Sequence, residues 1–303
     1  CVQIGVATFH EGERTVQRRA GVAAEARSLG RGISAAIPPG AGPFLAAQCL
    51  AALAGVDDQG RVWASVVMGD PGFITVPDPG TLRLAARLAA GDPLRGALAE
   101  GAPVGVVVLD PGRRRRIRLN GRSAGPMPDA IDVRVEEVFG NCPKYIQARA
   151  PETHASERTG VARHAAELSP AQEDWIRRAD TLFIASVHAT RGADASHRGG
   201  QPGFVHVERP RRLRFPDYPG NNMFQTLGNL TADPRVGLVF VDFETGGTLQ
   251  LTGRAHIRWE RPTFEDLVGA ERAVEIEIDE VVEIEGGGGL GWRFVGYSPF
   301  NPR

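Results

Sequence analysis

The sequence of 303 residues has a single lysine, three cysteines and no long apolar run. Arginine supplies the other 34 of the 35 basic residues, and 36 acidic residues bring the formal charge to −1. A near-neutral chain lacks the excess of positive charge that nucleic-acid-binding proteins have. No window approaches the roughly 18 consecutive apolar residues that a membrane-spanning helix needs. The sequence therefore predicts neither a nucleic-acid partner nor a membrane span.

The cysteines, Cys1, Cys49 and Cys142, are odd in number and widely spaced. This pattern argues against a disulfide framework and against a four-cysteine zinc site. The seven histidines contain no His-Glu-x-x-His arrangement, so no metal site is predicted. The first ten residues lack the basic and apolar regions of a secretion signal. We therefore expect a protein of the reducing cytoplasm.

An internal repeat organises the chain. Three motifs recur in the same order in both halves: Pro-Gly-Phe, Val-Gly followed by an apolar run that ends in Asp, and a closing Gly-Arg. They occupy 71–73, 104–110 and 121–122 in the first half, and 202–204, 236–242 and 253–254 in the second. Each copy contains about six short β-rich runs bounded by Gly, Pro and Asp, which is typical of a small antiparallel barrel. The sequence therefore predicts a mainly β fold of two similar barrels.

Helices are expected at four places. Each barrel is predicted to insert one helix, at 92–100 and 221–231, an amphipathic helix is predicted over 11–29, and short helices in the linker 150–171. The expected domains are a helical segment 1–39, a first barrel 40–149, and a linker with the second barrel 150–303.

The two copies differ in chemistry along one strand. The first copy has Trp-Ala-Ser-Val-Val at 63–67, whereas the second has Asp-Ala-Ser-His-Arg at 194–198. The expected second helix begins at Asn221-Asn222, a neutral cap that leaves helix amides free for an anion. Ser196, Arg198 and this helix start together suit a phosphate group. Ordinary structural roles also explain these residues, because Asn is a common helix cap and an exposed Arg usually has no specific function.

The only lysine lies in Asn-Cys-Pro-Lys-Tyr-Ile-Gln at 141–147, directly after the last predicted strand of the first barrel. An ammonium kept where arginine is used everywhere else indicates a need for a compact point charge. Tyr145 and Gln147 offer an aromatic face and an amide beside Lys144. A single leftover lysine explains the same composition.

These segments together resemble the pyridoxamine 5'-phosphate oxidase-related flavoproteins with the FMN-binding split-barrel fold, in their tandem two-barrel form. The resemblance extends over roughly residues 40–300 and rests on four segments, 141–147, 196–205, 215–222 and 227–230. It implies a homodimer that holds FMN between subunits. The Arg-x-Val-Leu-Leu-Lys strand and the Arg-Leu-x-Pro ending of the true oxidases are missing, so the vitamin substrate is not implied.

The resemblance also implies site residues, with the first barrel as a structural copy whose own site is degenerate. The residues implied to hold the FMN phosphate are Ser196, Arg198, Asn221 and Asn222, and His197 is implied to be a further cofactor-binding residue. The residues implied to approach the flavin are Lys144, Tyr145, Gln147, Gln250 and Arg254. No catalytic side chain is implied, and Cys142 is more readily explained as structural than as a redox thiol.

An FMN-dependent oxidoreductase is the leading interpretation, in which the cofactor provides the redox chemistry and the protein positions it for a small-molecule substrate or redox partner. Two alternatives stay open. One is a flavin or haem binder without turnover, with His188, His197 or His206 as axial ligand. The other is a deazaflavin-dependent reductase on the same fold, whose acidic coenzyme would use the arginine run at 209–214.

Overall fold

The computed structural model describes residues 8–153, 161–261, 266–286 and 290–302. Within these residues the fold is mainly β, with two large antiparallel sheets and five short helices. The prediction of two tandem split barrels is confirmed. No helix in the described part of the chain is long and apolar enough to cross a membrane.

The first sheet has the strand order β2-β1-β5-β6-β7-β4-β3. Its strands are β1 (Leu50–Val56), β2 (Val62–Met68), β3 (Ile74–Asp78), β4 (Thr81–Leu84), β5 (Pro103–Asp110), β6 (Arg115–Ser123) and β7 (Ile131–Gly140).

The second sheet repeats that topology. Its strands are β10 (Thr181–His188), β11 (Gly192–Gly199), β12 (His206–Arg209), β13 (Arg212–Asp217), β14 (Arg235–Val241), β15 (Thr248–Arg258) and β16 (Arg272–Ile284). Their order, β11-β10-β14-β15-β16-β13-β12, matches the first sheet strand for strand. The internal repeat of the sequence is therefore a repeat of structure.

Side-chain alternation assigns the central strands to two cores at once. In β1, Ala51 and Leu53 belong to the core of the first barrel, whereas Ala52 and Ala54 belong to a third cluster between the barrels. Successive side chains of a strand point to opposite faces, so a strand covered on both faces is apolar throughout. This explains why β1, β5, β10 and β14 are apolar over most of their length and do not alternate with polar residues.

Two glycines let the barrels approach each other closely. A Cβ on Gly105 of β5 would lie 2.6 Å from the backbone nitrogen of Ala195, and a Cβ on Gly237 of β14 would lie 2.6 Å from Cα of Trp63. Each barrel thus presents the same strand position to the other barrel. The barrels are related by an internal two-fold axis.

The helices are α1 (Glu11–Arg19), α2 (Ala23–Gly30), α3 (Ala41–Ala46), α4 (Pro170–Arg178) and α5 (Gln225–Ala232). The single helix predicted over 11–29 is wrong, because Gly21, with φ of 75°, separates α1 from α2. Gln17 of α1 donates through Nε2 to the carbonyl of Met223 at 2.9 Å, so α1 packs beside α5.

The predicted inserted helices also need correction. Residues 92–100 form turns instead of a helix, since Gly91 and Gly96 have φ of 82° and 106°, outside the helical region. In the second barrel, α5 begins at Gln225 instead of residue 221. Asn222 and Phe224 have φ of 58° and 61°, so the helix starts only after them.

The linker predicted to contain short helices is mostly extended where it is described. It contains β8 (Ala148–Thr153), which pairs with β17 (Leu290–Gly296), and β9 (Ala162–Ala165), which pairs with β16. Helix begins only with α4. These segments are extended because each pairs with a strand that comes much later in the chain, and local composition does not reveal such a partner.

Candidate functional site

Two clefts lie between the barrels. We call cleft 1 the contact of β2 with β15, and cleft 2 the contact of β11 with β6. The residues of the two clefts can be matched through the strand pairing. In the first sheet β1 pairs with β2 and β5, and in the second sheet β10 pairs with β11 and β14 in the same register. Ser65 of cleft 1 corresponds to Ser196 of cleft 2, and Gln250 of cleft 1 corresponds to Arg118 of cleft 2.

A buried ion pair joins the barrels in cleft 2. The guanidinium of Arg118 donates to the carboxylate of Asp194, and Asn120 Nδ2 donates to the same carboxylate at 3.2 Å. The two charged side chains are only 5% and 3% exposed. The first barrel therefore neutralises Asp194 and forms one wall of cleft 2.

A narrow cavity of about 40 Å³ lies at the end of cleft 2. Four predicted residues line it, namely Lys144, Tyr145, His197 and Arg198. They come from β11 and from the segment between β7 and β8. Three further lining residues are Arg116, Cys142 and Tyr218. The structure thus brings together residues that are far apart in sequence.

His197, which lines this cavity, has a buried ring nitrogen without a hydrogen-bond partner in the described part of the chain. Its Nδ1 lies 2.9 Å from Nη1 of Arg116, and a guanidinium only donates, so Nδ1 accepts and Nε2 bears the proton. Burial, together with Arg116 and Arg198, holds the pKa of His197 well below its usual value, so the ring is neutral. Nε2 is buried and has no hydrogen-bond partner among the described residues. An acceptor is needed beside it.

Positive charge is concentrated around the cavity. Burial and the neighbouring guanidiniums of Arg198 and Arg118 lower the pKa of Arg116 to about 9, and burial also lowers the pKa of Arg198. The Nε atoms of these three arginines are buried without a partner in the described part of the chain. Asp217 lies 3.9 Å from Arg198 Nη2 but accepts from Arg272 at 2.9 Å. The cavity therefore suits an anion that accepts several hydrogen bonds.

The segment that contains Lys144 is fixed by its neighbours. Tyr145 has φ of 67°, its hydroxyl donates to the carbonyl of Pro219 at 2.9 Å, and its ring lies 5.0 Å from that of Tyr218. Gln147 is 1% exposed and does not line the cavity. Its Nε2 donates to the carbonyl of Gly200 at 3.0 Å and its Oε1 accepts from the Ser298 amide at 2.8 Å. Gln147 therefore holds the segment in place.

The predicted phosphate contacts at Asn221 and Asn222 lie in the turn before α5. The helix start expected there is wrong, and neither side chain caps the helix. Asn222 Nδ2 donates to Glu25 of α2 at 3.0 Å, whereas Asn221 Nδ2 is buried without a partner within the described residues. Ser196 is buried on β11 between Asp194 and Arg198.

Gln250 and Arg254 do not reach this cavity. Gln250 is fully buried in cleft 1, and Arg254 is exposed on β15. Each cleft contains a strand from both barrels, so β15 of the second barrel lies in cleft 1 and β6 of the first barrel lies in cleft 2. The residues of cleft 2 that correspond to Gln250 and Arg254 are therefore Arg118 and Arg122 of β6.

Arg116 and Arg118 were not among the predicted residues. The signal was present, because Leu-Asn-Gly-Arg at 119–122 aligns with Leu-Thr-Gly-Arg at 251–254.

Cleft 1 has the opposite chemistry. Asp92 Oδ1 accepts from Ser65 Oγ at 2.7 Å and from the Leu94 amide at 2.9 Å, and Oδ2 accepts from Gln250 Nε2 at 3.1 Å. Burial raises the pKa of Asp92 to about 6. Where cleft 2 has His197, Arg198 and Arg116, the corresponding residues of cleft 1 are Val66, Val67 and Thr248.

Most of the residues proposed as haem ligands or as deazaflavin contacts already have other partners in the structure. The His188 ring stacks on that of His10 at 3.9 Å, and His206 lies 3.1 Å from Asp266. The run at 209–214 faces acidic side chains, with Arg209 3.2 Å from Glu277 and Arg212 2.7 Å from Glu275. No group of metal-binding side chains is found in the described ranges.

Residues 168–285 match a family model described as pyridoxamine 5'-phosphate oxidase. The second barrel is therefore similar to this family. The match runs from just before α4 to just after β16, so the pyridoxamine 5'-phosphate oxidase-related barrel supplies His197 and Arg198 to cleft 2. The first barrel, outside the match, supplies Arg116 and Arg118.

No curated protein matches the sequence. Three solved structures illustrate what the fold is similar to. HupZ of Group A Streptococcus is 14% identical, with 43% of this chain and 98% of that chain covered and a TM-score of 0.32. An FAD-binding protein of Mesorhizobium loti is 13% identical, with 42% and 98% covered and a TM-score of 0.30. A pyridoxinephosphate oxidase family protein of Clostridium acetobutylicum is 9% identical, with 41% and 86% covered and a TM-score of 0.27. Likeness at this level assigns no function.

Proposed function

We propose that this protein is an FMN-dependent oxidoreductase of the pyridoxamine 5'-phosphate oxidase-like superfamily, and that the cavity of cleft 2 takes the FMN phosphate. One observation supports this most strongly. Arg116, His197 and Arg198 line the cavity, each has a buried donor without a partner among the described residues, and two of the three are positively charged. A phosphate dianion satisfies both requirements. The cavity, of about 40 Å³, is too small for a flavin ring and would take the phosphate group alone.

The chain's own residues bind and orient the cofactor. His197 Nε2 and the guanidiniums of Arg116 and Arg198 would hold the phosphate as hydrogen-bond donors, and Asp194 and Gln147 keep their supporting segments in position. Lys144, whose Nζ lies 5.8 Å from the Phe300 ring, adds a positive charge at the cavity wall. FMN, when bound, supplies hydride or electron transfer, so no acid–base triad is required. The substrate is not assigned.

One chain builds the whole of cleft 2, because its walls come from both barrels. We therefore place the cofactor between barrels of the same chain, and cofactor retention then does not depend on a second subunit. The homodimer implied by the resemblance remains a prediction, which light scattering on the flavin-loaded protein tests.

The described cysteines, Cys49 and Cys142, are free, and we propose that the protein acts in the reducing cytoplasm.

The spectrum of the purified protein tests the proposal first. We expect flavin absorption, or binding of added FMN with quenching of its fluorescence. Arg198→Ala and Arg116→Ala are each expected to weaken FMN binding about 10- to 100-fold, since each removes a charge-assisted hydrogen bond. Arg113→Ala is the matched control, because Arg113 belongs to the same arginine run but its side chain is 75% exposed. Wild-type protein that neither contains nor binds FMN would contradict the proposal.

The alternative coenzymes are tested in the same titration. FMN is expected to bind more tightly than FAD or a deazaflavin, since the arginine run at 209–214 already faces acidic residues of β16. A deazaflavin that displaced FMN, or a Soret band after haem addition with no flavin binding, would favour the alternatives.

A further inference from the structure

A tight turn at 298–301 packs against the segment that contains Lys144. Its sequence, Ser-Pro-Phe-Asn, is typical of a β-turn, and the Asn301 amide donates to the Ser298 carbonyl at 3.1 Å. Ser298 and Asn301 are only 4% and 7% exposed. Buried polar side chains need hydrogen-bond partners, and both find them in the segment 141–147.

Gln147 and Tyr145 make the contacts with this turn. The Ser298 amide donates to Gln147 Oε1 at 2.8 Å, and Asn301 Nδ2 donates to the same oxygen at 3.1 Å. The Tyr145 amide donates to Ser298 Oγ at 3.2 Å. On β11, a Cβ at Gly199 would overlap the carbonyl oxygen of Tyr145. The segment therefore lies between β11 and the turn.

The first barrel joins the same contact through Arg114. Its Nε donates to the Ile146 carbonyl at 3.1 Å, and its Nη2 donates to the Tyr297 carbonyl at 3.1 Å. Arg114 comes just before β6, the strand that supplies Arg116 to the cavity. The turn, the segment and the first barrel thus meet beside the cavity of cleft 2.

We infer that Ser298 and Asn301 are positioning residues of the cofactor site. Lys144 and Tyr145 line the cavity, whereas the two turn residues do not line it and act through the segment. Tyr145 has φ of 67°, a left-handed conformation that a residue other than glycine keeps only where its surroundings hold it. Ser298 and Asn301 supply part of those surroundings. Their link to the cofactor rests on the proposed function, whereas their hold on the segment does not.

Hydrogen exchange followed by mass spectrometry tests the hold on the segment in flavin-free protein. Ser298→Ala removes the acceptor of the Tyr145 amide, and Asn301→Ala removes one donor to Gln147. Each variant is expected to speed exchange in a peptide that covers 141–147 at least about threefold and to leave exchange in β11 unchanged. Ser123→Ala is the matched control, because Ser123 is 1% exposed and its hydroxyl donates to the Leu98 carbonyl within the first barrel.

Titrations with FMN and with riboflavin, which lacks the phosphate, test the effect on the cofactor. Each turn variant is expected to weaken FMN binding about 3- to 10-fold and to leave riboflavin binding unchanged, because only the phosphate enters the cavity. A merely structural role would lower Tm and leave the ratio of the two affinities unchanged, which is the result expected for Ser123→Ala.

Exchange in 141–147 that stays at the wild-type rate in both turn variants would overturn the inference. Faster exchange with an unchanged ratio of FMN to riboflavin affinity would overturn the positioning role. If Asn301→Ala does not fold, Ser298→Ala, which removes a single oxygen, decides between these outcomes. Wild-type protein that binds no FMN would defeat the proposed function and with it the role in cofactor binding, and exchange would still show whether the turn holds the segment.

Discussion

Cleft 1 and cleft 2 are built from equivalent strands in equivalent registers, yet their electrostatics are opposite. In cleft 2, guanidiniums crowd one another and burial lowers the pKa of Arg116 to about 9. In cleft 1, a carboxyl is buried among neutral donors and burial raises the pKa of Asp92 to about 6. Each cleft holds one buried carboxyl group, but the carboxylate of Asp194 in cleft 2 faces the guanidinium of Arg118, whereas the carboxyl of Asp92 in cleft 1 faces neutral donors. The two copies therefore share one framework, and side chains at a few strand positions give the two clefts different chemistry.

The ion pair of cleft 2 gives the largest expected effect. Arg118→Gln, which installs the cleft 1 residue, is expected to lower the free energy of unfolding by about 3–5 kcal/mol, because Asp194 becomes a buried charge without its partner. Denaturant unfolding measures this. The double variant Arg118→Gln, Asp194→Asn is expected to recover a large part of the loss. Equal losses in the single and double variants would show that the ion pair does not decide the stability of cleft 2.

The acid of cleft 1 is expected to make stability depend on pH. A carboxyl whose pKa rises from 3.8 to about 6 on folding stabilises the fold most below its unfolded pKa, and this contribution is lost as pH rises through about 6. Between pH 4 and pH 8, wild-type protein is expected to lose about 2 kcal/mol relative to Asp92→Asn. Unfolding of both proteins across this range measures the difference. If the unfolding free energies of the two proteins changed in parallel with pH, the expectation would be wrong, and Asp92 would have an ordinary pKa in the folded protein.

The shared framework should respond equally in both halves. Gly105→Ala and Gly237→Ala are each expected to cost about 1–3 kcal/mol, because the new Cβ meets the backbone of the other barrel at 2.6 Å. Gly140→Ala is the control, since a Cβ at Gly140 meets no atom within 4 Å. Thermal unfolding compares the three variants. A loss confined to one barrel would break the two-fold relation.

Lys144 gives the smallest expected effect. Lys144→Ala removes one charge at the wall of cleft 2 and is expected to weaken FMN binding up to about tenfold, with Lys144→Arg retaining most of the affinity. The effect should shrink as salt concentration rises. FMN titrations at two ionic strengths measure it. Unchanged affinity in Lys144→Ala would show that the single lysine has no role in FMN binding.

The tandem barrels were predictable because the repeated motifs mark turns and strand ends, which local chemistry determines. Lys144, Tyr145, His197 and Arg198 were also predicted, and they meet at one cavity. The partners of each cleft were not predictable in the same way. Gln250 of β15 was predicted to lie in the same site as His197 and Arg198, which belong to the same barrel. In the structure β15 lies in cleft 1, and β6 of the first barrel lies beside His197 and Arg198 in cleft 2.

The predictions of two inserted helices were wrong because turn residues and tertiary contacts override helix propensity in both segments. Residues 92–100 have helix-forming alanines and leucines, but Gly91, Pro93 and Gly96 fit turns, and Asp92 gains more from its buried donors than from a helix cap. In the second barrel the positive φ values of Asn222 and Phe224 delay α5. Tertiary contacts determine these conformations, and propensity alone does not predict them.

The most direct test of the central claim compares FMN with riboflavin, which lacks the phosphate, in titrations of the flavin-free protein. If cleft 2 recognises the phosphate through Arg116, His197 and Arg198, FMN is expected to bind at least about 100-fold more tightly than riboflavin. Arg198→Ala should reduce that ratio by weakening FMN binding alone. Equal affinity for FMN and riboflavin in wild-type protein would contradict the account.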